Sequence, residues 1–127
     1  KSDARMPVTP GGKETILLTE DEQLVRAILA DSLREAGYSV LEAHHGEEAL
    51  EISRHYGAAI HLLVTDMVMP RMSGRDLAGQ LAELRPDAKV LYISGYPKQD
   101  LSPGCHFLKK PFTPEELIRE VRTVLDG

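Results

Sequence analysis

From Thr15 onward, short apolar runs alternate with amphipathic stretches, and this alternation restricts the fold of the chain more than any other feature. Thr15-Ile-Leu-Leu-Thr19, Ser39–Ala43, Ile60–Thr65, Lys89–Ser94 and Cys105–Leu108 have the length and apolar content expected of strands. Between them the period changes from two to about 3.6. Glu22–Ala36 carries apolar residues in the helical rows Leu24/Ile28, Val25/Leu29/Leu33 and Leu33/Ala36, and Gly37 stands where a glycine closes a helix. Gly46–Tyr56 places Ala49, Leu50, Ser53 and Tyr56 on one side. Leu77, Leu81 and Leu84 mark a helix that Pro86 ends. Gln99–Leu101 reads as a short helical piece. The last helix carries Leu117, Ile118, Val121, Val124 and Leu125, and its start is well marked. Thr113 is the N-cap, Pro114 the first helical residue, and Glu116 completes a capping box.

Strands that alternate with helices predict an α/β fold, a doubly wound parallel sheet covered on both faces. The apolar strands agree, because strands buried on both sides have no polar face to show. The chain has 127 residues, enough for one domain. Residues 1–13, with Pro7, Pro10, Gly11 and Gly12 and no hydrophobic period, read as a linker or tail, and 14–127 as the domain. Net charge is −5 and there is no basic tract, so no nucleic-acid partner is expected. No apolar run approaches the ~20 residues that cross a bilayer, so no direct membrane contact is expected either. The single Cys105 cannot make an internal disulfide, which favours a reducing, cytoplasmic setting; a membrane-anchored parent protein is compatible with that.

In doubly wound folds ligands bind beyond the carboxyl ends of the strands. At those ends stand Glu20-Asp21, Asp66, Ser94 and Lys109-Lys110-Pro111. Each has an ordinary reading alone: a turn residue, a dipole partner, a solvated lysine. Their coincidence at the ends of four strands points elsewhere. Three crowded carboxylates repel one another unless a cation sits among them. Mg²⁺ takes oxygen ligands, uses one or two carboxylates, and leaves room for phosphate oxygens. A carboxylate can then act as nucleophile and form an aspartyl phosphate, with lysine and hydroxyl meeting the phosphoryl oxygens. His44 and His45 are adjacent, cannot share a face, and are expected to be exposed loop residues. Met67, Met69 and Met72 are expected to pack around Asp66, and Cys105 to be a small buried side chain.

At these residues the chain resembles the receiver domains of bacterial response regulators and hybrid sensor histidine kinases. The resemblance lies in Ile16-Leu-Leu-Thr-Glu-Asp-Glu22, in Leu63-Val-Thr-Asp-Met-Val-Met-Pro-Arg-Met-Ser-Gly74, in Val90-Leu-Tyr-Ile-Ser-Gly95 and in Phe107-Leu-Lys-Lys-Pro-Phe112. It implies a flavodoxin-like receiver fold with strand order 2-1-3-4-5 and five helices. It implies that Asp66 is the phosphoacceptor. Mg²⁺ would be held by Glu20, Asp21, Asp66 and the backbone carbonyl of Val68. Ser94 and Phe107 would be switch residues, Phe107 turning inward on activation, and Lys110 would pair with the phosphoryl group. The Lys110–Pro111 peptide is expected to be cis. The partner would be a histidine kinase or a histidine phosphotransfer domain, with a homodimer through the face of the fourth and fifth strands as a further implication.

The segments Gly11–Leu18 and Ser94–Pro97 resemble receivers of hybrid kinases in particular. A stand-alone response regulator and a receiver-like binding module without phosphorylation are the alternatives. The domain would catalyse its own phosphorylation and dephosphorylation without multiple turnover. Val68 stands where an aspartyl-phosphate phosphohydrolase would carry a second acid, and bulky Val68 and Tyr96 predict slow to moderate hydrolysis. The sequence departs from the commonest family pattern in Glu20 for Asp, Ser94 for Thr and Phe107 for Tyr, and none of these removes a needed carboxylate or hydroxyl at the acceptor.

Overall fold

The computed structural model describes residues 11–95 and 106–127. Its strands are β1 (Thr15–Thr19), β2 (Ser39–Ala43), β3 (Leu62–Asp66), β4 (Lys89–Ser94) and β5 (His106–Lys109). They form one parallel sheet in the order β2-β1-β3-β4-β5. The helices among the described residues are α1 (Gln23–Glu35), α2 (Gly46–His55), α3 (Gly74–Leu84) and α4 (Pro114–Asp126). The expected helical piece at Gln99–Leu101 lies outside the described residues, as do Tyr96 and Cys105. None of the described helices is long and apolar enough to cross a membrane.

Strand side chains alternate between two cores. Ile16, Leu18, Leu62, Val64, Leu91 and Ile93 pack with Leu29, Leu33, Leu117 and Val121, under α1 and α4. Leu17, Leu63 and Tyr92 point the other way and pack with Ala49, Leu50, Leu77 and Leu81, under α2 and α3. The period of two in the strands therefore feeds both faces of the sheet, which is why the middles of these strands are apolar on both sides. Leu33, Leu77 and Leu117 have no more than 0% exposure, so truncating any of them to alanine is worth ~2–5 kcal/mol.

Three details differ from the expected pattern. β3 begins at Leu62 rather than Ile60, because Ile60 fills the core beside the ladder while His61 makes its first hydrogen bonds, to Thr15 and Lys89. On α1, Leu24 and Ile28 are 80% and 60% exposed. They stand on the opposite side of the helix from Leu29, Ala30 and Leu33, and a helix lying on a sheet buries a single stripe. His45 is not a free loop residue. It is the N-cap of α2, its ring Nδ1 accepting from the Glu48 N–H at 3.2 Å, while Glu48 Oε1 accepts from the exposed His44 N–H. The expected boundaries at Gly37 and Thr113 are present in atomic detail. Gly37 has φ of 104° and closes α1, its N–H donating to the Arg34 carbonyl while the Tyr38 N–H donates to the Leu33 carbonyl, and Thr113 and Glu116 form the reciprocal capping box.

The incoming chain is fastened to the domain from Gly11. The Gly12 N–H donates to the Ala36 carbonyl at 3.2 Å, and Arg122 Nη1 donates to the Gly11 carbonyl at 2.9 Å. Arg122 also grips Glu14 with both nitrogens and Asp126 at 2.8 Å. This bidentate bond holds the Glu14 carboxyl down at about 2, against 4.5 ordinarily. A depressed carboxyl stabilises the fold above its ordinary value, and the benefit disappears as pH falls from 4.5 through 2. Arg122→Met is expected to lower stability by about 1–2 kcal/mol at neutral pH and to flatten the acid limb of the pH–stability curve, read from urea midpoints.

Candidate functional site

Parallel strands bring all their carboxyl ends to one edge, and the register decides which residues meet there. Thr19 is paired with Thr65, Asp66 with Ile93, and Ser94 with Lys109. The next residues along the chain, Glu20 and Lys110, therefore arrive at the same rim as Asp66 and Ser94. Glu20 is 1%, Ser94 4% and Asp66 9% exposed, while Asp21 and Val68 face solvent. An open cavity of about 400 Å³ lies over this rim, lined by Asp66, Val68, Gly95 and Lys110.

Glu20, Asp21 and Asp66 each offer one carboxylate oxygen within 4.8 Å of the other two. Lys110 Nζ donates to Asp66 Oδ2 at 3.3 Å and lies 3.9 Å from Glu20 Oε1. The other oxygen of Asp66, Oδ1, accepts from the Val68 N–H at 3.4 Å. Glu20 Oε2 accepts from the Glu22 N–H at 3.1 Å. Its partner Oε1 is buried and has no hydrogen-bond donor. Burial above all pushes the Glu20 carboxyl up to about 7; the Glu22 N–H opposes this, Asp66 adds to it, and Lys110 opposes it.

That buried, donorless oxygen tests the fit of a metal. A buried acceptor without a partner costs on the order of 1–3 kcal/mol. One lysine cannot balance three carboxylates, and here it reaches only one of them at hydrogen-bond distance. A hard divalent cation among the three oxygens would satisfy Oε1 and remove the repulsion, and an all-oxygen donor set suits Mg²⁺. The residues present fit the ion.

The remaining expected site residues are placed as follows. The Lys110–Pro111 peptide is cis. Lys109 is exposed, whereas Lys110 is partly covered. Phe107 is half-buried against the α2/α3 core, beside Tyr92 in register. Met69 is buried, and Met67 and Met72 pack partly covered against the same core, as packing residues.

Gly74 was not singled out by spacing, yet it shapes the acceptor. It opens α3 directly on the backbone of Asp66, where a β-carbon would overlap the Asp66 carbonyl oxygen and press on Met67 Cα. Its N–H donates to the Met67 carbonyl at 3.0 Å. Ser73-Gly74 before a helix reads as an ordinary cap, and nothing local reports a backbone approach from a distant strand. Gly74→Ala is expected to cost about 1–3 kcal/mol and to displace Asp66, seen as a shifted amide resonance for Asp66 and Met67. Unchanged stability together with unshifted resonances would refute this.

Residues 16–122 match the family model described as response regulator receiver domain. The chain is 37% identical over 121 residues to the sensor kinase CckA of Brucella abortus (strain 2308), covering 91% of this chain but 13% of that protein. It is 36% identical over 116 residues to the response regulator receiver protein CpdR of the same organism, covering 87% of this chain and 95% of that one. Thus the chain spans a small part of the first relative and nearly all of the second. Among solved structures, the receiver domain of the hybrid histidine kinase CckA superposes with a TM-score of 0.78 at 40% identity, covering 87% of this chain and 98% of that one.

Proposed function

The chain belongs to the response regulator receiver domain family of two-component signalling, and from that premise we propose that Asp66 accepts a phosphoryl group from a phosphohistidine. The observation that carries this reading is the gathering of Glu20, Asp21 and Asp66 within 4.8 Å with Lys110 at 3.3 Å from the acceptor. An Asp66 oxygen attacks phosphorus as the bond to the imidazole nitrogen breaks, and the imidazole leaves and is protonated. Glu20, Asp21, Asp66 and the Val68 carbonyl are the residues that would hold Mg²⁺. When bound, the ion supplies charge neutralisation for the phosphoryl oxygens and the acidic cluster. Lys110, already beside Asp66, moves with the new oxygens, and the Val68 N–H keeps the carboxylate aimed. The phosphoryl group adds nearly two negative charges. Ser94 donates to one of its oxygens, and Phe107, next to Tyr92 on the sheet, is the side chain that repacks when Ser94 moves.

The partner is a histidine kinase or a histidine phosphotransfer domain, in the cytoplasm, and the β4–β5 face is the surface that changes, including for any homodimer. Residues 14–127 act as the receiver and 1–13 as its linker. The similarity to the sensor kinase CckA favours a place in a hybrid histidine kinase. The match to nearly the whole of CpdR favours the second reading, a stand-alone receiver. Kinase sequence upstream in the full reading frame decides between them.

The direct test is to add beryllofluoride or acetyl phosphate with Mg²⁺ and follow amide resonances. The expected result is a Mg²⁺-dependent shift at Asp66, Ser94, Phe107 and Lys110. Spectra that stay unchanged under both reagents would identify a binding module that is not phosphorylated.

A further inference from the structure

Arg26 lies in the first turns of α1 and is 6% exposed, an unusual place for a guanidinium. Its Nη1 donates to the Glu20 carbonyl oxygen at 2.8 Å. Its Nε reaches Glu42 Oε1 at 3.4 Å, and Glu42 is held from its other oxygen by Arg34 Nη1 at 2.9 Å. Arg34 Nη2 in turn donates to the Val40 carbonyl at 2.9 Å. A continuous set of charge-assisted bonds therefore runs from α1 and β2 to the residue that follows β1.

The bond to Glu20 falls on a particular atom. The Glu20 carbonyl belongs to the peptide that joins Glu20 to Asp21, and a peptide is a rigid plane. The orientation of that plane sets ψ of Glu20 and φ of Asp21, and with them the direction of Asp21 relative to Glu20. The Glu20 N–H is already committed to the Ala43 carbonyl at 3.2 Å, and its Oε2 to the Glu22 N–H at 3.1 Å. Arg26 fixes the remaining main-chain group. With these three groups held, Oε1 is left buried without a donor, 3.9 Å from Lys110 Nζ, and one Glu20 carboxylate oxygen lies within 4.8 Å of oxygens of Asp21 and Asp66. Two neighbouring carboxylates pressed against a third repel, so the peptide between them needs a grip that water would not supply.

We infer that Arg26 is a positioning residue for the divalent-cation site, holding the Glu20–Asp21 peptide in the one orientation that brings both carboxylates to Asp66. The inference rests on the reading that this acidic cluster holds Mg²⁺. Arg26 does not touch the ion; it acts through the carbonyl. Loss of such outer partners commonly weakens metal binding about 10–100-fold.

The test is calorimetric titration of Mg²⁺ into the parent protein, Arg26→Met and Arg26→Lys, with thermal unfolding and amide hydrogen exchange measured on each without metal. Arg26→Met is expected to bind Mg²⁺ about 10–100-fold more weakly, and Arg26→Lys to fall between it and the parent. In the metal-free proteins the Asp21 and Glu22 amides are expected to exchange faster in Arg26→Met, with α3 unaffected. A folded Arg26→Met that binds Mg²⁺ as the parent does overturns the inference, whatever its melting temperature. Where Arg26→Met does not fold, Arg26→Lys decides, and an affinity equal to the parent's overturns it. A parent protein that fails to bind Mg²⁺ overturns the reading of the site itself, and is told apart from the other outcomes by needing no variant.

Discussion

Asp66→Asn is expected to abolish phosphoryl incorporation while making the metal-free protein more stable. The loss follows from chemistry, since an amide is not a nucleophile toward phosphorus at neutral pH and no other carboxylate of the cluster has the Lys110 bond. The gain in stability requires weighing two effects of opposite sign. Removing the Asp66 charge loses its pair with Lys110, whose side chain is 34% exposed, so solvent screens most of that attraction. It also removes the repulsion between Asp66 and Glu20, whose side chains are 12% and 2% exposed. Repulsion between covered groups is screened least, so above pH 7, where Glu20 carries its charge, relief of the repulsion wins, by on the order of 1 kcal/mol. Intact-mass measurement after acetyl phosphate and Mg²⁺ treatment reads the first effect, and urea unfolding in chelator reads the second. Label retained by Asp66→Asn would move the acceptor elsewhere; a drop in stability would mean that the lysine pair dominates.

The second large effect is a pH dependence that Mg²⁺ removes. The Glu20 carboxyl is raised from 4.5 to about 7, mainly by burial. A raised carboxyl means that the folded chain binds the proton more tightly than the unfolded one. Stability is then fully present below 4.5, falls as pH rises through 7, and is level above it. For a shift of this size the fall is about 3 kcal/mol in the absence of divalent ions. Glu14, depressed to about 2, has lost its proton in both states across all but the acid end of that window, so it does not mask the trend toward neutral pH. Mg²⁺ competes with the proton, so its affinity is expected to weaken by up to about tenfold for each pH unit below 7. Urea midpoints in chelator at the two ends of the window, and Mg²⁺ titrations across it, measure both. Glu20→Gln, which cannot ionise, should abolish the slope. A metal-free parent whose stability is flat or rises toward neutral pH would sink the account.

Much of this was written locally. The largely apolar runs at Thr15–Thr19, Ser39–Ala43 and Lys89–Ser94 coincide with β1, β2 and β4, because strands covered on both faces are mostly apolar. Gly37, Thr113 and Glu116 mark helix ends through bonds to residues within four positions, so their signal travels with the sequence. The rim residues were legible for a related reason. Given a parallel sheet, every strand must end at the same edge, where Asp66 and Ser94 close β3 and β4 and Glu20 and Lys110 directly follow β1 and β5.

What only the tertiary structure decided depends on groups far apart in sequence. The choice of Leu29 and Leu33 over Leu24 and Ile28 on α1 was made by where the sheet lies, since both rows have helical spacing. The role of Gly74 arises from the backbone of a strand passing within contact distance, and that of Arg26 from a carbonyl beyond the helix and a glutamate on the neighbouring strand. The rise of Glu20 to about 7 needs burial and the approach of Asp66, neither of which is a property of Glu20 or its neighbours in the chain. Periodicity and capping are short-range and are carried by residue type, whereas desolvation, repulsion and close backbone approach exist only once separate segments are brought together.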